Sequence, residues 1–179
     1  MRKLYAFLFK MTGWKVNLQV PVPAKCVICI APHTSNWDFF IGRAYFLSVG
    51  GGLRVLVKKG WFFFPLGLLL RAFGGVPVDR TNTNTLTDQL VHEFATHSQY
   101  RLGITPEGTR KKTNRWKTGF YYIALNAKVP ISLAYLDYAT KTLGIMENFI
   151  PTGNKAQDIA YIKSLYKNIQ GKYPERFAL

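Results

Sequence analysis

The stretch KCVICIAPHTSNWDFFIGRAYFLSV, residues 25–49, decides the fold of this chain. It opens with a short apolar run of β type at 25–31 and passes through the polar segment PHTSN. Residues 35–49 then indicate a helix, which ends at the glycine triplet 50–52, where left-handed turn geometry costs little. A strand, a loop and a helix in this order predict the first unit of an α/β fold.

The same alternation continues along the rest of the chain. The next predicted elements are strand 53–58, helix 61–73, strand 76–78, helix 84–98, strand 100–105, helix 116–127 and strand 129–136. Residues 140–146 follow the short connection DYA, so they can pair antiparallel with the preceding strand, and 155–171 indicate a closing helix. We therefore predict an α/β fold in one domain, with a mixed, mostly parallel sheet flanked by helices and a short amphipathic N-terminal helix.

The composition indicates an ordered, strongly basic protein. Hydrophobic residues make up 48% of the 179 residues, which excludes a disordered chain, and 24 Lys and Arg against 9 Asp and Glu give a net charge of +15. Such a charge implies an anionic partner, namely nucleic acid, an anionic membrane surface or a phosphorylated substrate. Cys26 and Cys29 lie three apart on a predicted strand and so face opposite sides, which favours two buried thiols over a metal site or a disulfide.

The N-terminal segment MRKLYAFLFKMTGW has an amphipathic pattern. The apolar residues that share one helical face are Leu4, Phe7, Leu8 and Met11. Residues 1–20 are predicted to associate with a membrane and residues 21–179 to form the main domain; a first helix that packs against the core remains an open alternative. The sequence contains no run of 18 or more apolar residues, so no membrane-spanning helix is predicted.

His33 and Asp38 are the first candidate catalytic residues. They directly follow a strand, where open α/β sheets build their sites, and lie five apart, roughly 140° from each other on one helix. If they pair, His33 lies in the loop and Asp38 in the first helical turn. An imidazole held by a carboxylate can remove a proton from an alcohol, which is otherwise a poor nucleophile. The alternative is structural, because Ser35 and Asp38 fit the S-x-x-[DE] pattern that caps a helix.

Two further motifs each combine glycine with arginine at the end of a predicted strand. The motif ITPEGTR, residues 104–110, joins a rigid proline, an acid, a glycine that allows close approach and an arginine that can hold phosphate. The motif GGVPVDR, residues 74–80, ends in Arg80. Either motif is also compatible with an ordinary turn and a surface arginine.

Four blocks in this order resemble the glycerolipid acyltransferases, the family that acylates glycerol phosphate and 1-acyl-sn-glycerol 3-phosphate. The family's H-x4-D block corresponds to residues 33–38, its arginine-containing block to 74–80, its PEGTR block to 106–110 and its V-P block to 129–130. H-x4-D alone is a weak signal, but an ordered set with an intact PEGTR is specific. The resemblance spans about residues 33–131.

The resemblance implies acyl transfer from acyl-CoA or acyl carrier protein, with His33 as general base and Asp38 as its partner, and makes residues 21–179 an acyltransferase domain. It implies that the phosphorylated acceptor binds to these residues: Arg80, Glu107, Gly108, Thr109 and Arg110. No metal or cofactor is expected besides the acyl donor as co-substrate. The sequence departs from the family at Pro32, where asparagine is frequent, and in VPISLA, which lacks a frequent later proline, so the exact acceptor stays open.

An aromatic block at 61–68 adds a candidate lipid contact. The residues predicted to touch an acyl chain or a membrane are Trp61, Phe62, Phe63, Phe64 and Leu68. Lys58, Lys59 and Arg71 flank the block, and cations near an anionic leaflet contribute about 1 kcal/mol each. A core helix that is apolar on all sides is the alternative.

The resemblance implies an enzyme of phospholipid biosynthesis that converts lysophosphatidic acid to phosphatidic acid, with a lysophospholipid or glycerol phosphate as acceptor. We expect it to be peripheral or monotopic on the anionic cytoplasmic face of a membrane, the inner membrane of a bacterium, and to bind no nucleic acid. The alternatives are acyl transfer to another lysolipid or an amino-lipid, and a non-catalytic basic module that binds lipid.

Overall fold

The structure is a computed structural model and describes residues 2–49, 51–78 and 83–179. Its elements in chain order are α1 Arg2–Met11, β1 Lys15–Leu18, β2 Lys25–Ile30, α2 Trp37–Ser48, β3 Leu53–Lys58, α3 Leu66–Ala72, β4 Gly75–Val78, α4 Thr83–Thr96, β5 Tyr100–Ile104, α5 Gly119–Ala127, β6 Ile131–Asp137, β7 Thr142–Phe149 and α6 Lys155–Leu165. Short 3₁₀ turns occupy Lys59–Trp61 and Pro174–Arg176.

The strands of the described residues form one seven-stranded sheet in the order β1-β7-β6-β2-β5-β3-β4. The five strands from β6 to β4 run parallel, β7 pairs antiparallel with β6, and β1 pairs parallel with β7. This confirms the predicted mixed, mostly parallel sheet and the antiparallel pairing of the strand that follows DYA. The sequence did not reveal β1, because its four residues are all exposed and form no apolar run.

Helices cover both faces of the sheet. One face buries Val27 and Cys29 against side chains of α4, α5 and α6, and the other buries Cys26 and Ile28 against α1 and α2. The two cysteines are free thiols on opposite faces, as predicted, and burial raises the pKa of both. The alternation along β2 therefore supplies both halves of the core.

The positions of α2 and α3 follow from the chain's path. The connections β2–α2–β3 and β3–α3–β4 both step in the same direction across the sheet. Parallel crossovers are right-handed, so α3 lies on the same side of the sheet as α2. The rings of Phe9 in α1 and Tyr45 in α2 pack with their centroids 5.9 Å apart, which places α1 on this side too.

Several boundaries differ from the predicted ones. The aromatic helix expected over 61–73 begins only at Leu66, behind the 3₁₀ turn and Pro65. The closing helix expected over 155–171 ends at Leu165, where the fully buried Tyr166 enters the core and its hydroxyl lies within hydrogen-bond distance of the carbonyl oxygens of Cys29 and Ala134. Within the described ranges, none of the helices has the length and apolar character needed to cross a membrane.

Candidate active site

Three adjacent parallel strands bring the candidate residues together. β2 lies between β5 and β6, so the segments that leave the carboxyl ends of these strands share one edge of the sheet. His33 follows β2, Glu107 follows β5 and Tyr138 follows β6. This edge is where ligands bind in open α/β sheets.

His33 and Asp38 form the predicted pair. His33 lies in the loop, Asp38 lies in the first turn of α2, and Nδ1 of the imidazole is 3.0 Å from Oδ2 of the carboxylate. Because a carboxylate only accepts, Nδ1 carries the proton and Nε2 is left as the acceptor. The Asp38 side chain is 2% exposed and that of His33 is 15% exposed, so the carboxylate is buried while the imidazole keeps access to a ligand.

Asp38 also organises the loop that carries the histidine. Its Oδ2 accepts the backbone N–H groups of Thr34 and Ser35, each at 3.0 Å. The hydroxyl of Ser35 in turn accepts the N–H of Trp37, the first residue of α2, at 3.2 Å. The N-cap position is Asn36, whose side chain makes no cap hydrogen bond. The structural and catalytic interpretations of Asp38 are therefore compatible, since the same carboxylate holds the loop that leads into α2 and orients the imidazole.

Tyr138 was not found by sequence reasoning. Its hydroxyl donates to Oδ1 of Asp38 at 2.6 Å, from 100 residues along the chain. The surrounding segment DYA carries no motif, and only the pairing of β6 beside β2 brings it to the site. No local signal in the sequence points to this contact.

Glu107 lies beneath the histidine loop and is 5% exposed. Its Oε1 accepts the backbone N–H of His33 at 2.9 Å, whereas Oε2 is buried without a hydrogen-bond partner among the described residues. Burial raises the pKa of Glu107, and the hydrogen bond from His33 opposes this in part. The side chain joins the loops that follow β2 and β5, and its predicted contact with the acceptor stays a prediction.

The rest of the PEGTR segment forms the rim of the site. Gly108 has a φ of 62°, a left-handed conformation that favours glycine, while the nearest atoms to an added Cβ belong to the flexible end of the Lys117 side chain, which can move aside. Thr109 is half-buried, and Arg110 is exposed and forms no ion pair with any described residue. Arg80 lies outside the described residues; β4, which leads toward it, ends at Val78.

A second feature that the sequence did not reveal is the C-terminal strap, residues 170–173. The carbonyl of Gln170 accepts the N–H of Tyr138 at 2.8 Å, and the N–H of Tyr173 donates to the hydroxyl of Thr34 at 3.2 Å. Gly171 lies so close to Thr34 that a Cβ would approach its hydroxyl oxygen to 2.7 Å. The strap thus holds the loops after β2 and β6 together.

The aromatic block divides into exposed and packed members. The exposed members are Trp61, Phe63, Phe64 and Leu68. Phe62 is half-buried, with its ring against Gly75 and under the guanidinium of Arg71. An open groove of about 360 Å³ lies beside the block, lined by Leu56, Val57, Lys58, Trp61 and Leu70.

Comparison with known proteins agrees with this architecture. Among solved structures, the chain is similar to the crystal structure of the 1-acyl-sn-glycerophosphate (LPA) acyltransferase PlsC from Thermotoga maritima. The TM-score is 0.61 and the identity 18%, over 93% of this chain and 75% of that chain, a likeness in fold. None of the curated proteins matches the sequence. The model of the acyltransferase family matches residues 14–134, a range that contains both His33 and Asp38. The chain therefore belongs to the acyltransferase family.

Proposed function

We propose that the protein transfers a fatty acyl group from acyl-CoA or acyl carrier protein to the free hydroxyl of 1-acyl-sn-glycerol 3-phosphate, giving phosphatidic acid. The observation that carries the proposal is the His33–Asp38 pair at the edge of the sheet, next to the PEGTR rim, whose Arg110 forms no ion pair with the part of the chain that the structure describes. The pair supplies a base for a hydroxyl, and the rim supplies a cation for a phosphate. The general PlsC-like fold supports the same choice.

In the proposed reaction the acceptor itself is the nucleophile. Nε2 of His33 takes the hydroxyl proton while the hydroxyl oxygen attacks the thioester carbonyl carbon. Asp38 stabilises the imidazolium that forms, through the hydrogen bond at Nδ1. The tetrahedral oxyanion then collapses, the C–S bond breaks, and the sulfur takes the proton from the imidazolium of His33 and leaves as the thiol. No acyl-enzyme is needed.

Arg110 is the proposed contact for the acceptor phosphate, because a guanidinium can bind phosphate through two parallel hydrogen bonds. Three exposed cations of the same loop, Lys111, Lys112 and Arg115, add to the positive field at this rim. Arg110→Ala should raise the KM for lysophosphatidic acid and leave the KM for the acyl donor unchanged. Lys15→Ala, on the exposed far edge of the sheet at β1, is the control and should change neither.

The activity is tested with labelled acyl-CoA and acyl carrier protein against a panel of lysophospholipids, glycerol phosphate and monoacylglycerol, with products identified by mass spectrometry. We expect acylation of lysophosphatidic acid, abolished in His33→Ala. His92→Ala, which removes an exposed histidine on α4, is the matched control and should retain activity. Full activity of a folded His33→Ala protein would refute the proposed base. Absence of transfer to any phosphorylated acceptor would refute the proposed reaction.

We also propose that the side of the sheet covered by α1, α2 and α3 rests on a membrane. The residues that form this exposed apolar surface are Leu4, Phe7, Leu8, Met11, Trp37, Phe40, Trp61, Phe63, Phe64 and Leu68. The predicted apolar face of α1 thus points to solvent, and of the side chains described in this helix, residues 3–11, Phe9 alone is buried in the core. Aromatic and aliphatic side chains flanked by lysine and arginine are typical of helices that lie in a lipid interface.

Membrane contact is tested by sedimentation with anionic and neutral vesicles. Phe7→Asp and Phe64→Asp should weaken binding to vesicles that contain phosphatidylglycerol. Ile150→Asp is the control, because Ile150 is exposed to a similar degree, 65% against 59% for Phe7, and lies outside this surface. Equal loss of binding in all three variants would refute the assignment of the surface.

A further inference from the structure

We propose that Tyr138 is a positioning residue for the His33–Asp38 pair, in that its phenol fixes the second oxygen of the Asp38 carboxylate. The inference rests on the proposed function of this site and adds to it a residue from outside the four sequence blocks. It is drawn from the contacts that Asp38 and Tyr138 make.

The two oxygens of Asp38 have different surroundings. Oδ2 lies within 3.0 Å of three donors, Nδ1 of His33 and the backbone N–H groups of Thr34 and Ser35. Oδ1 has one donor among the described residues, the hydroxyl of Tyr138 at 2.6 Å. A carboxylate bonded at one oxygen can still rotate about its Cβ–Cγ bond, and a bond at the other oxygen opposes that rotation. The phenol therefore keeps Oδ2 aimed at the imidazole.

Tyr138 is itself held by separate parts of the chain. Its backbone N–H donates to the carbonyl of Gln170 in the C-terminal strap at 2.8 Å. Its ring meets that of Trp14 edge to face, with centroids 4.9 Å apart and planes at 86°. These contacts fix both the backbone and the ring, so the hydroxyl is presented to Asp38 in one position.

The phenol of Tyr138 is neutral when it donates to Oδ1 of Asp38. Burial, followed by the bond to Asp38, raises the pKa of Tyr138, and the phenol therefore stays a donor through the neutral range. The other titratable or charged groups around the pair are Glu107 below His33, and Lys172 and Tyr173 in the strap.

The kinetic test compares Tyr138→Phe with Tyr135→Phe. Tyr135 lies in β6, three residues before the half-buried Tyr138, and is itself buried; its hydroxyl accepts a hydrogen bond from Asn17 at 3.3 Å, away from Asp38. Losing a hydrogen bond to a charged group predicts a fall in kcat of about tenfold to a hundredfold for Tyr138→Phe. The KM values for donor and acceptor should stay at wild-type levels, and Tyr135→Phe should keep wild-type kcat.

A second measurement does not depend on activity. The chain has three histidines, so ¹⁵N NMR of histidine-labelled protein can follow each imidazole, with His92→Ala and His97→Ala for assignment. The ¹⁵N shifts report the tautomer of the neutral imidazole. The Nδ1–H tautomer of His33 should lose population in Tyr138→Phe, because Oδ2 of Asp38 is no longer held toward Nδ1, and should keep it in Tyr135→Phe.

The outcomes separate the two proposals. A folded Tyr138→Phe protein with wild-type kcat and an unchanged tautomer population of His33 overturns the positioning role. Equal effects of the two substitutions also overturn it, because they would reflect general packing. A wild-type protein that acylates nothing, while Tyr138→Phe still changes the tautomer population of His33, refutes the proposed function and leaves the inference supported.

Discussion

The hydrogen bonds around Asp38 predict a large difference between its replacement by asparagine and by alanine. In Asp38→Asn, the N–H groups of Thr34 and Ser35 both point at the position of Oδ2, so the amide oxygen takes that place. The amide NH₂ then replaces Oδ1 and can donate to the phenolic oxygen of Tyr138, which accepts as well as donates. The bond with Nδ1 of His33 is also kept, so asparagine removes the charge while it preserves the geometry.

Alanine removes the acceptor altogether. The two backbone N–H groups and the hydroxyl of Tyr138 then lose their partner, and each unsatisfied buried donor costs about 1–3 kcal/mol. We expect Asp38→Ala to lower the free energy of unfolding by about 3–6 kcal/mol, and Asp38→Asn to change it by about 1 kcal/mol or less.

The two variants should also differ in rate. In the serine protease triad, asparagine in place of the aspartate costs about 10⁴ in kcat because the histidine takes the wrong tautomer. In Asp38→Ala the tautomer of His33 is no longer fixed, so we expect a loss of about that size, whereas in Asp38→Asn the N–H groups of Thr34 and Ser35 keep the amide oxygen toward Nδ1. For Asp38→Asn only the charge is lost, and the difference between a charged and a neutral hydrogen bond corresponds to a fall in kcat of about tenfold to a hundredfold.

Urea unfolding and initial-rate assays of acyl transfer measure both effects. Equal unfolding free energies for the two variants would refute the hydrogen-bond reasoning. Wild-type kcat in Asp38→Asn would refute the role of the charge in stabilising the imidazolium.

Other substitutions test the supports of the site. Glu107→Gln keeps the acceptor for the N–H of His33 and removes an ionisable group whose pKa burial has raised. A carboxyl with a raised pKa in the folded state contributes stability that is lost as the pH rises through that pKa. Urea unfolding should therefore be measured between pH 4 and pH 8, roughly the usual glutamate range and above. Over this range the free energy of unfolding should decline less in Glu107→Gln than in the wild type. Gly171→Ala should lower stability by about 1–3 kcal/mol, because the new Cβ would meet the hydroxyl of Thr34. Gly42→Ala is its control, since the added Cβ meets no atom within 4 Å, and it should stabilise α2 by about 0.5–1 kcal/mol. Thermal unfolding of both variants measures these changes in stability.

The alternation of strands and helices could be predicted because it follows from the spacing of apolar residues within each short segment. β3 was predicted with its observed bounds, since apolar and β-branched residues fill Leu53–Lys58 between glycines and polar turns. The predicted helix ends agree less well with the structure where tertiary packing determines the end of the helix. The aromatic block has enough apolar residues for a longer helix than α3, but Pro65 and the close approach of Gly67 to the backbone of Phe62 delay its start.

The order of the strands in the sheet is not contained in any local pattern. β5 inserts between β2 and β3, although more than forty residues of the chain separate it from each of these two strands. This insertion places the PEGTR rim beside His33. The family resemblance anticipated that the blocks act together, and the sheet gives the physical reason, since the carboxyl ends of parallel neighbours meet at one edge.

By itself the sequence determined the α/β class, the basic character and the His33–Asp38 pair, because hydrophobic periodicity and a spacing of five residues are local properties. The tertiary structure alone decided that Glu107 supports the loop of His33, that Tyr138 holds Asp38, and that the strap closes over Thr34. These contacts join residues 74, 100 and 139 positions apart. Contacts over such distances depend on which strands become neighbours, and the packing of the whole sheet settles that.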